Sequence, residues 1–481
     1  MELRLRKNLI LPALIVGCLS GAAWTLPQRP DGNAPQEYRA RREALAEALR
    51  QELAPGDSGA LVLDAAPESE SSYRQESNLY YLTGTEIPDS SLVLLFDRPA
   101  SGAAKKGPAA PGRYAEFFYL PGRDFRQERW TGPRPGAGGL VKETLQPDDE
   151  RREAMRRTGF ERIPEGDFPP RRYPRGPVES RADFASHLAR FLADAQVFFH
   201  LVAPGRPGAP LTADLAFVKE IREEFPLLTL KDPAPALARM RAVKSPAELQ
   251  LLRRAIEITC QAQRDALKQA RSGMAEFEVQ ALVEYRFTSE GARRPGYPSI
   301  VGSGPNSCIL HYDASAGTLR EGDLLLMDVG AEYGRYTADV TRTIPVSGRF
   351  SEEQRKIYDI VLKAQKAAIA AIRPGVPFSD IDKTARRVIE EAGYGPYFIH
   401  GTSHFLGLDV HDAGDTSAAL QAGMVLTVEP GIYLPEKQIG IRIEDDVLVT
   451  RRGAEVLSDC APREPGAVEM QRLEGLKSAT R

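Results

Sequence analysis

Five side chains of metal-ligand type, Asp328, Asp339, His404, Glu429 and Glu444, stand among strand-like apolar runs in the second half of the chain. A single aspartate on a strand is usually solvated and a lone histidine usually packs, so the conjunction carries the argument. LLLMDVG (324–330) and YTADVTRTIPV (336–346) flank a turn at Tyr333-Gly334, and a two-residue loop there places Asp328 directly opposite Asp339. With a turn near Glu436-Lys437, MVLTVEPGIYL (424–434) and IGIRIEDDVLV (439–449) place Glu429 opposite Glu444 in the same way. Opposed carboxylates repel at the roughly 4.5–5.5 Å Cβ separation of a β ladder. Asp328 also closes the run Leu324 to Met327, and Glu429 the run Val425 to Val428, so their ionised forms carry a desolvation cost that a cation would offset. Four carboxylates and one imidazole suit manganese, cobalt, zinc or iron(II) better than copper. Two divalent ions would match the four negative charges and generate a bridging hydroxide able to attack a carbonyl carbon, so hydrolysis is the expected reaction class.

Four of the six histidines lie in this half, adding His311, His400 and His411 to the candidates. Arg442, two residues before Glu444 and so on the same strand face, is placed to orient a ligand carboxylate and balance charge.

The elements that must position these residues follow from pattern. Ser245-Pro246-Ala247-Glu248 has a hydroxyl cap, proline at the first helical position and glutamate at the third, ahead of Leu249, Leu252 and Ile256. Ser351-Glu352-Glu353-Gln354 opens a second helix that stops at Pro374-Gly375, and Ser379 precedes a third carrying Ile381, Ala385, Val388 and Ile389. Helices alternating with antiparallel hairpins predict an α+β fold. ASGAAKKGPAAPG (100–112) reads as a hairpin loop between two strand-like runs, and GPRPGAGG (132–139) as another break. The expected layout is a smaller N-terminal α/β domain over 34–232, a linker over 233–245, the ligand-bearing domain over 246–460 and a polar tail over 461–481.

The 481 residues are 42% hydrophobic and 27% charged with a formal net charge of −3, an ordinary globular composition with room for more than one core. No broad basic field exists, which argues against nucleic acid as a main partner; PPRRYPRGP (169–177) reads as an exposed loop. Arg4, Arg6 and Lys7 precede the apolar run 9–24, so residues 1–23 read as an export signal cleaved after Ala23, and Pro12, Gly17 and Gly21 make a poor membrane span. Ile15-Val16-Gly17-Cys18 resembles a bacterial lipoprotein processing site, in which case Cys18 carries lipid. A periplasmic or secreted protein is expected, with or without that anchor. Cys260, Cys308 and Cys460 form an odd, widely spread set that reads as core or surface thiols and not as a disulfide framework.

SIVGSGPNSCILHY (299–312), the stretch 324–346, HGTSHFLGLDVHD (400–412), 424–434 and GIRIEDDVLVT (440–450) resemble the aminopeptidase P and prolidase family of pita-bread metallopeptidases. ESNLYYLTG (76–84) and LPGRDFRQERWTGPR (120–134) are similar to that family's smaller, creatinase-like N-terminal domain. The resemblance implies that Asp328 chelates one metal, that Asp339 and Glu444 bridge two, and that His404 and Glu429 complete the second. It implies manganese as the first choice of ion, with His311 and His411 handling the proton destined for the proline nitrogen and steadying the tetrahedral intermediate. His400 and Tyr433 match further active-site positions. The implied activity is removal of an N-terminal residue that precedes proline, on proline-containing peptides, by a dimer or tetramer. Cleavage of Xaa-Pro dipeptides is the alternative reaction, and peptide binding without catalysis the alternative class. One departure is Ser315, where the family often has asparagine, and a turn is the expected place of its effect.

Overall fold

The computed structural model describes residues 35–65, 73–100, 112–122, 125–132, 155, 160, 178–202 and 210–479. The export segment with Cys18, the stretches 101–111 and 169–177 and most of 132–139 lie outside these residues.

The N-terminal part is built on a six-stranded sheet of β1 (Ser58–Asp64), β2 (Ser91–Asp97), β3 (Tyr114–Leu120), β4 (Val178–Ser180), β5 (Val197–His200) and β6 (Thr229–Lys231), in the order β4-β3-β2-β1-β5-β6. β2 and β3 form the expected antiparallel hairpin, from Ser91 opposite Tyr119 to Phe96 opposite Tyr114. Both faces of the sheet are covered, so its strands read as continuous apolar runs. Leu61 and Leu63 point to a core shared with α1 (Pro35–Arg50) and α2 (Ser77–Thr83), while Ala60 and Val62 point to one shared with α4 (Phe184–Asp194) and α5 (Ala213–Glu224). A short α3 (Phe125–Thr131) follows β3, and α6 (Ala234–Ala242) leads into the second part.

There, α7 (Pro246–Gln269) opens with the predicted capping box. Ser245 Oγ accepts from Glu248 N at 3.2 Å and Glu248 Oε2 from Ser245 N at 2.8 Å. After α8 (Glu276–Ser289), α9 (Glu352–Ala371) begins with the same device at Ser351 and Gln354. In α10 (Ser379–Glu391) the buried residues Ile381, Ala385 and Ile389 fall four apart, the apolar stripe of an amphipathic helix. These helices cover antiparallel ribbons: β8 (Ile300–Ser303), β9 (Leu324–Val329) and β12 (Val340–Pro345) in one sheet, β10 (Ala331–Tyr333) between β7 (Arg294–Pro295) and β11 (Tyr336–Thr337) in another. A third joins β13 (Val425–Val428), β16 (Asp445–Thr450) and β17 (Gly453–Val456), and β14 (Gly431–Leu434) pairs with β15 (Ile439–Arg442). The α+β expectation holds.

Two expectations fail. The stretch after 460 is not a polar tail, because Pro465–Ala479 form α11, whose Val468 and Arg472 are fully buried. Arg472 donates to the carbonyls of Leu267, Ala270, Pro345 and Val346, satisfying acceptors at the end of α7. Cys260 and Cys460 are not thiols but a disulfide with a Cα separation of 5.7 Å, joining α7 to the segment beyond β17; Cys308 is free and half-buried. The two cysteines are 200 residues apart, and nothing local signals that these segments meet.

Candidate metal centre

The four candidate carboxylates sit at or beside strand ends, and His404 lies in a loop next to Phe405, which bridges to Leu426 of β13. On the second ribbon, β13 pairs Val428 with Asp445 and β14 pairs Gly431 with Arg442, so Glu429 stands opposite Glu444 as expected. On the first the register differs. Glu332 pairs with Thr337 and Tyr333 with Tyr336, so the loop residues are Gly334 and Arg335, at φ 56° and 75°. A tight two-residue hairpin wants positive φ at both central positions, which an aromatic such as Tyr333 resists. Asp328 therefore opposes Thr341 and not Asp339. The partner shifts by two residues, so Asp339 keeps its face and lies diagonally across from Asp328. Ser315 adopts φ 42°, a turn conformation that asparagine enters more readily than serine.

All nine candidates, Asp328, Asp339, His404, Glu429, Glu444, His311, His400, His411 and Arg442, line one cavity of about 540 Å³. Tyr433 stands behind it, its hydroxyl 2.8 Å from both Arg442 Nη1 and His400 Nε2. Three residues that sequence reasoning missed support the carboxylates. The Tyr297 hydroxyl is 2.6 Å from Asp328 Oδ1 and 2.6 Å from Asp339 Oδ1. Thr341 Oγ1 donates to Glu444 Oε2 at 2.6 Å, and Asp446 Oδ2 accepts from Asp339 N at 3.1 Å. The true register would have revealed Thr341; Tyr297 comes from another segment and left no trace in the spacing.

Burial, then the Asp328 charge, pushes Asp339 up, and burial with Asp339 beside it holds Glu444 well above the carboxylate range. Burial pushes Glu429 up to about 7 against the pull of His404. Burial opposes the His404 cation, but Asp339 Oδ2, 3.5 Å from Nε2, outweighs it and the ring rises to about 9. Protons are thus taken up where cationic charge is short. Tyr297 makes the same point, since its one hydrogen cannot serve two carboxylates at once. Asp339, His404 and Glu444 each bring a ligand atom within 4.8 Å of the others. The donor set and its charge fit divalent metal.

The histidines divide by role. His404 Nδ1 faces the Phe405 carbonyl at 3.1 Å, which fixes the hydrogen there and leaves Nε2 toward Asp339 and Glu429. His400 Nδ1 likewise faces the Gly401 carbonyl at 2.8 Å and Nε2 accepts from Tyr433, so both nitrogens are engaged. Burial and Arg442 hold this ring down at about 4. His411 stacks edge-on to His404 with centroids 4.3 Å apart and is lowered by burial, His404 and His311. The loop carrying His404 and His411 is clamped from the N-terminal part: Arg74 reaches Asp409 Oδ1 at 2.9 Å and the Leu408 carbonyl at 2.6 Å, and Arg241 reaches Asp409 Oδ2 at 2.8 Å.

Residues 250–451 match the model of metallopeptidase family M24 and residues 38–148 that of the aminopeptidase P N-terminal domain. A Xaa-Pro aminopeptidase of Escherichia coli (strain K12) is 35% identical, with 90% of this chain and 97% of that protein aligned. The chain belongs to the aminopeptidase P family. The structure of Escherichia coli aminopeptidase P with the inhibitor Pro-Leu superposes with a TM-score of 0.75 at 31% identity, covering 92% of this chain and 99% of that one. A Xaa-Pro dipeptidase of Pyrococcus furiosus is 40% identical, but over 51% of this chain and 72% of its own length.

Proposed function

We infer that this aminopeptidase P family member is a metal-dependent Xaa-Pro aminopeptidase, hydrolysing the bond between an N-terminal residue and a following proline. The observation that carries the reading is the convergence of three buried carboxylates, the half-buried Glu429 and His404 on one cavity, in a chain matched to the family over both of its parts. Asp328, Asp339, His404, Glu429 and Glu444 would hold two divalent ions, which supply a nucleophile from water and polarise the scissile carbonyl.

The chain's own residues do the rest. A peptide bond to proline lacks the N–H that many peptidases grip, so the site must act without that handle. His411, held below the ordinary imidazole value by burial and His404, and His311 on the rim would pass a proton to the departing proline nitrogen. His400, held in one tautomer by Gly401 and Tyr433, orients the wall of the cavity and does not shuttle protons. The acidic cluster favours the substrate's free α-amine, which explains cleavage at the chain end.

Manganese is the proposed native ion, supported by the oxygen-rich donor set. Export through a signal over residues 1–23, or alternatively with Cys18 carrying lipid, is proposed from the basic and apolar N-terminus, and the Cys260–Cys460 disulfide suits an oxidising compartment. A dimer or tetramer rests on family resemblance alone. The test is chelation followed by manganese readdition on an Xaa-Pro-Xaa tripeptide: activity should vanish and return, and undiminished cleavage by the metal-free protein would overturn the reading. An Xaa-Pro dipeptide assayed beside it should be the poorer substrate, and the reverse would favour a dipeptidase.

A further inference from the structure

Behind the cavity, the strands that carry Asp339 and Glu444 share a buried polar frame. Arg342, 1% exposed, donates through Nη1 to the backbone carbonyls of Glu444 and Thr341. Its Nη2 reaches Asp445 Oδ1 at 2.7 Å and the Ala461 carbonyl at 2.8 Å. The neighbouring Asp446 accepts from Asp339 N. Both aspartates meet at one serine, because Ser458 Oγ donates to Asp445 Oδ1 at 2.6 Å and accepts from Asp446 N at 3.0 Å. Residues 458–461 are therefore the common far end of the ties running to the backbones of two metal-ligand candidates.

That far end is also tied to its surroundings, Leu457 N donating to the Asp446 carbonyl just before it and Arg463 just after it pairing with Asp445 and Asp459. Asp459 and Cys460 are exposed, and Ala461 alone of the four enters an apolar cluster. What fastens the segment to α7 is the Cys260–Cys460 disulfide, together with Arg264 Nη1 donating to the Cys460 carbonyl at 2.9 Å. Cys260 is fully buried, while Cys460 is open to a small reductant.

We propose that the Cys260–Cys460 disulfide is a redox-sensitive staple of the metal centre, holding Asp339 and Glu444 at ligand spacing through Ser458, Asp445, Asp446 and Arg342. The proposal rests on the metal reading above. A dithiol reductant opens the staple by delivering two electrons and two protons: the S–S bond breaks, Cys260 and Cys460 become thiols, and the dithiol closes into its own disulfide. The loosened segment then lets the Arg342 and Asp445 ties relax, and divalent metal is held less tightly. Neither sulfur nor Arg342 lines the cavity, so Arg342 is a positioning residue and substrate contacts stay as they were.

The test is titration of metal-stripped full-length protein with Mn²⁺, comparing the parent, the Cys260→Ala/Cys460→Ala pair, and Ser458→Ala with its disulfide intact. Both variants should bind Mn²⁺ about tenfold more weakly, the size of effect seen when supporting partners of metal ligands are removed. Turnover should return at saturating Mn²⁺ with KM for the tripeptide unchanged. If the cysteine pair fails to fold, Ser458→Ala and the parent reduced by a phosphine carry the comparison. Unchanged Mn²⁺ affinity in the variants that fold, or a thiol titration showing no disulfide in protein from an oxidising compartment, overturns the staple. A parent that binds no Mn²⁺ overturns the metal reading and the proposal with it.

Discussion

Arg442 and Asp328 form an ion pair inside the site, Nη2 to Oδ2, with the two residues 3% and 9% exposed. The guanidinium also binds Tyr433 and Thr341, so it is the fixed cation around which the carboxylates are arranged. Removing one partner of a buried pair leaves the other uncompensated. Arg442→Met should therefore destabilise the metal-free protein by about 3 kcal/mol. Bound Mn²⁺ should recover part of the loss, which thermal unfolding with and without metal will measure.

Glu429→Gln keeps the size of the side chain and removes a charge opposite Glu444. Loss of a ligand should weaken metal binding by about 100-fold or more, at the upper end of what losing a mere supporting partner does. Metal content per chain and tripeptide turnover should fall together, and either one retained at the parent level counts against the assignment.

Metal affinity should rise with pH. Without metal, Glu429 keeps its proton up to about 7 and His404 up to about 9, and Asp339 and Glu444 are raised as well, so a binding ion must displace protons throughout this window. The affinity should climb with pH, most steeply below 7, and level off once these groups have lost their protons. Glu429 and His404 are both raised in the folded state, so their contribution to metal-free stability is full below their unfolded values and is lost as pH rises through 7 and 9. The metal-free melting temperature should fall over that window. A pH-independent Mn²⁺ affinity would contradict this.

Asp409 behaves in the opposite sense. Despite burial, which raises it, Arg241 and Arg74 hold its carboxyl down at about 2. Its stabilisation of the loop bearing His404 and His411 is present above the ordinary aspartate value and is lost as pH falls toward 2. The side chain is 34% exposed, so solvent screening keeps the effect modest. Asp409→Asn should flatten the acid limb of a plot of melting temperature against pH, and an unchanged limb would place acid sensitivity elsewhere.

Local chemistry determined much of this protein in one dimension. The capping boxes at Ser245 and Ser351 involve neighbours three residues apart, and the apolar stripe of α10 repeats every four, so both are visible without a fold. Glu429 opposite Glu444 was equally legible, because a hairpin's register follows from its turn. Tertiary structure decided the rest. It shifted the first hairpin to Gly334-Arg335, brought Tyr297 between Asp328 and Asp339, joined Cys260 to Cys460, and set Arg74 and Arg241 on Asp409. Apart from the turn, where backbone φ preference decided, each of these contacts pairs segments at least thirty residues apart. Such pairings depend on how helices and ribbons pack in three dimensions, which residue type and spacing do not encode.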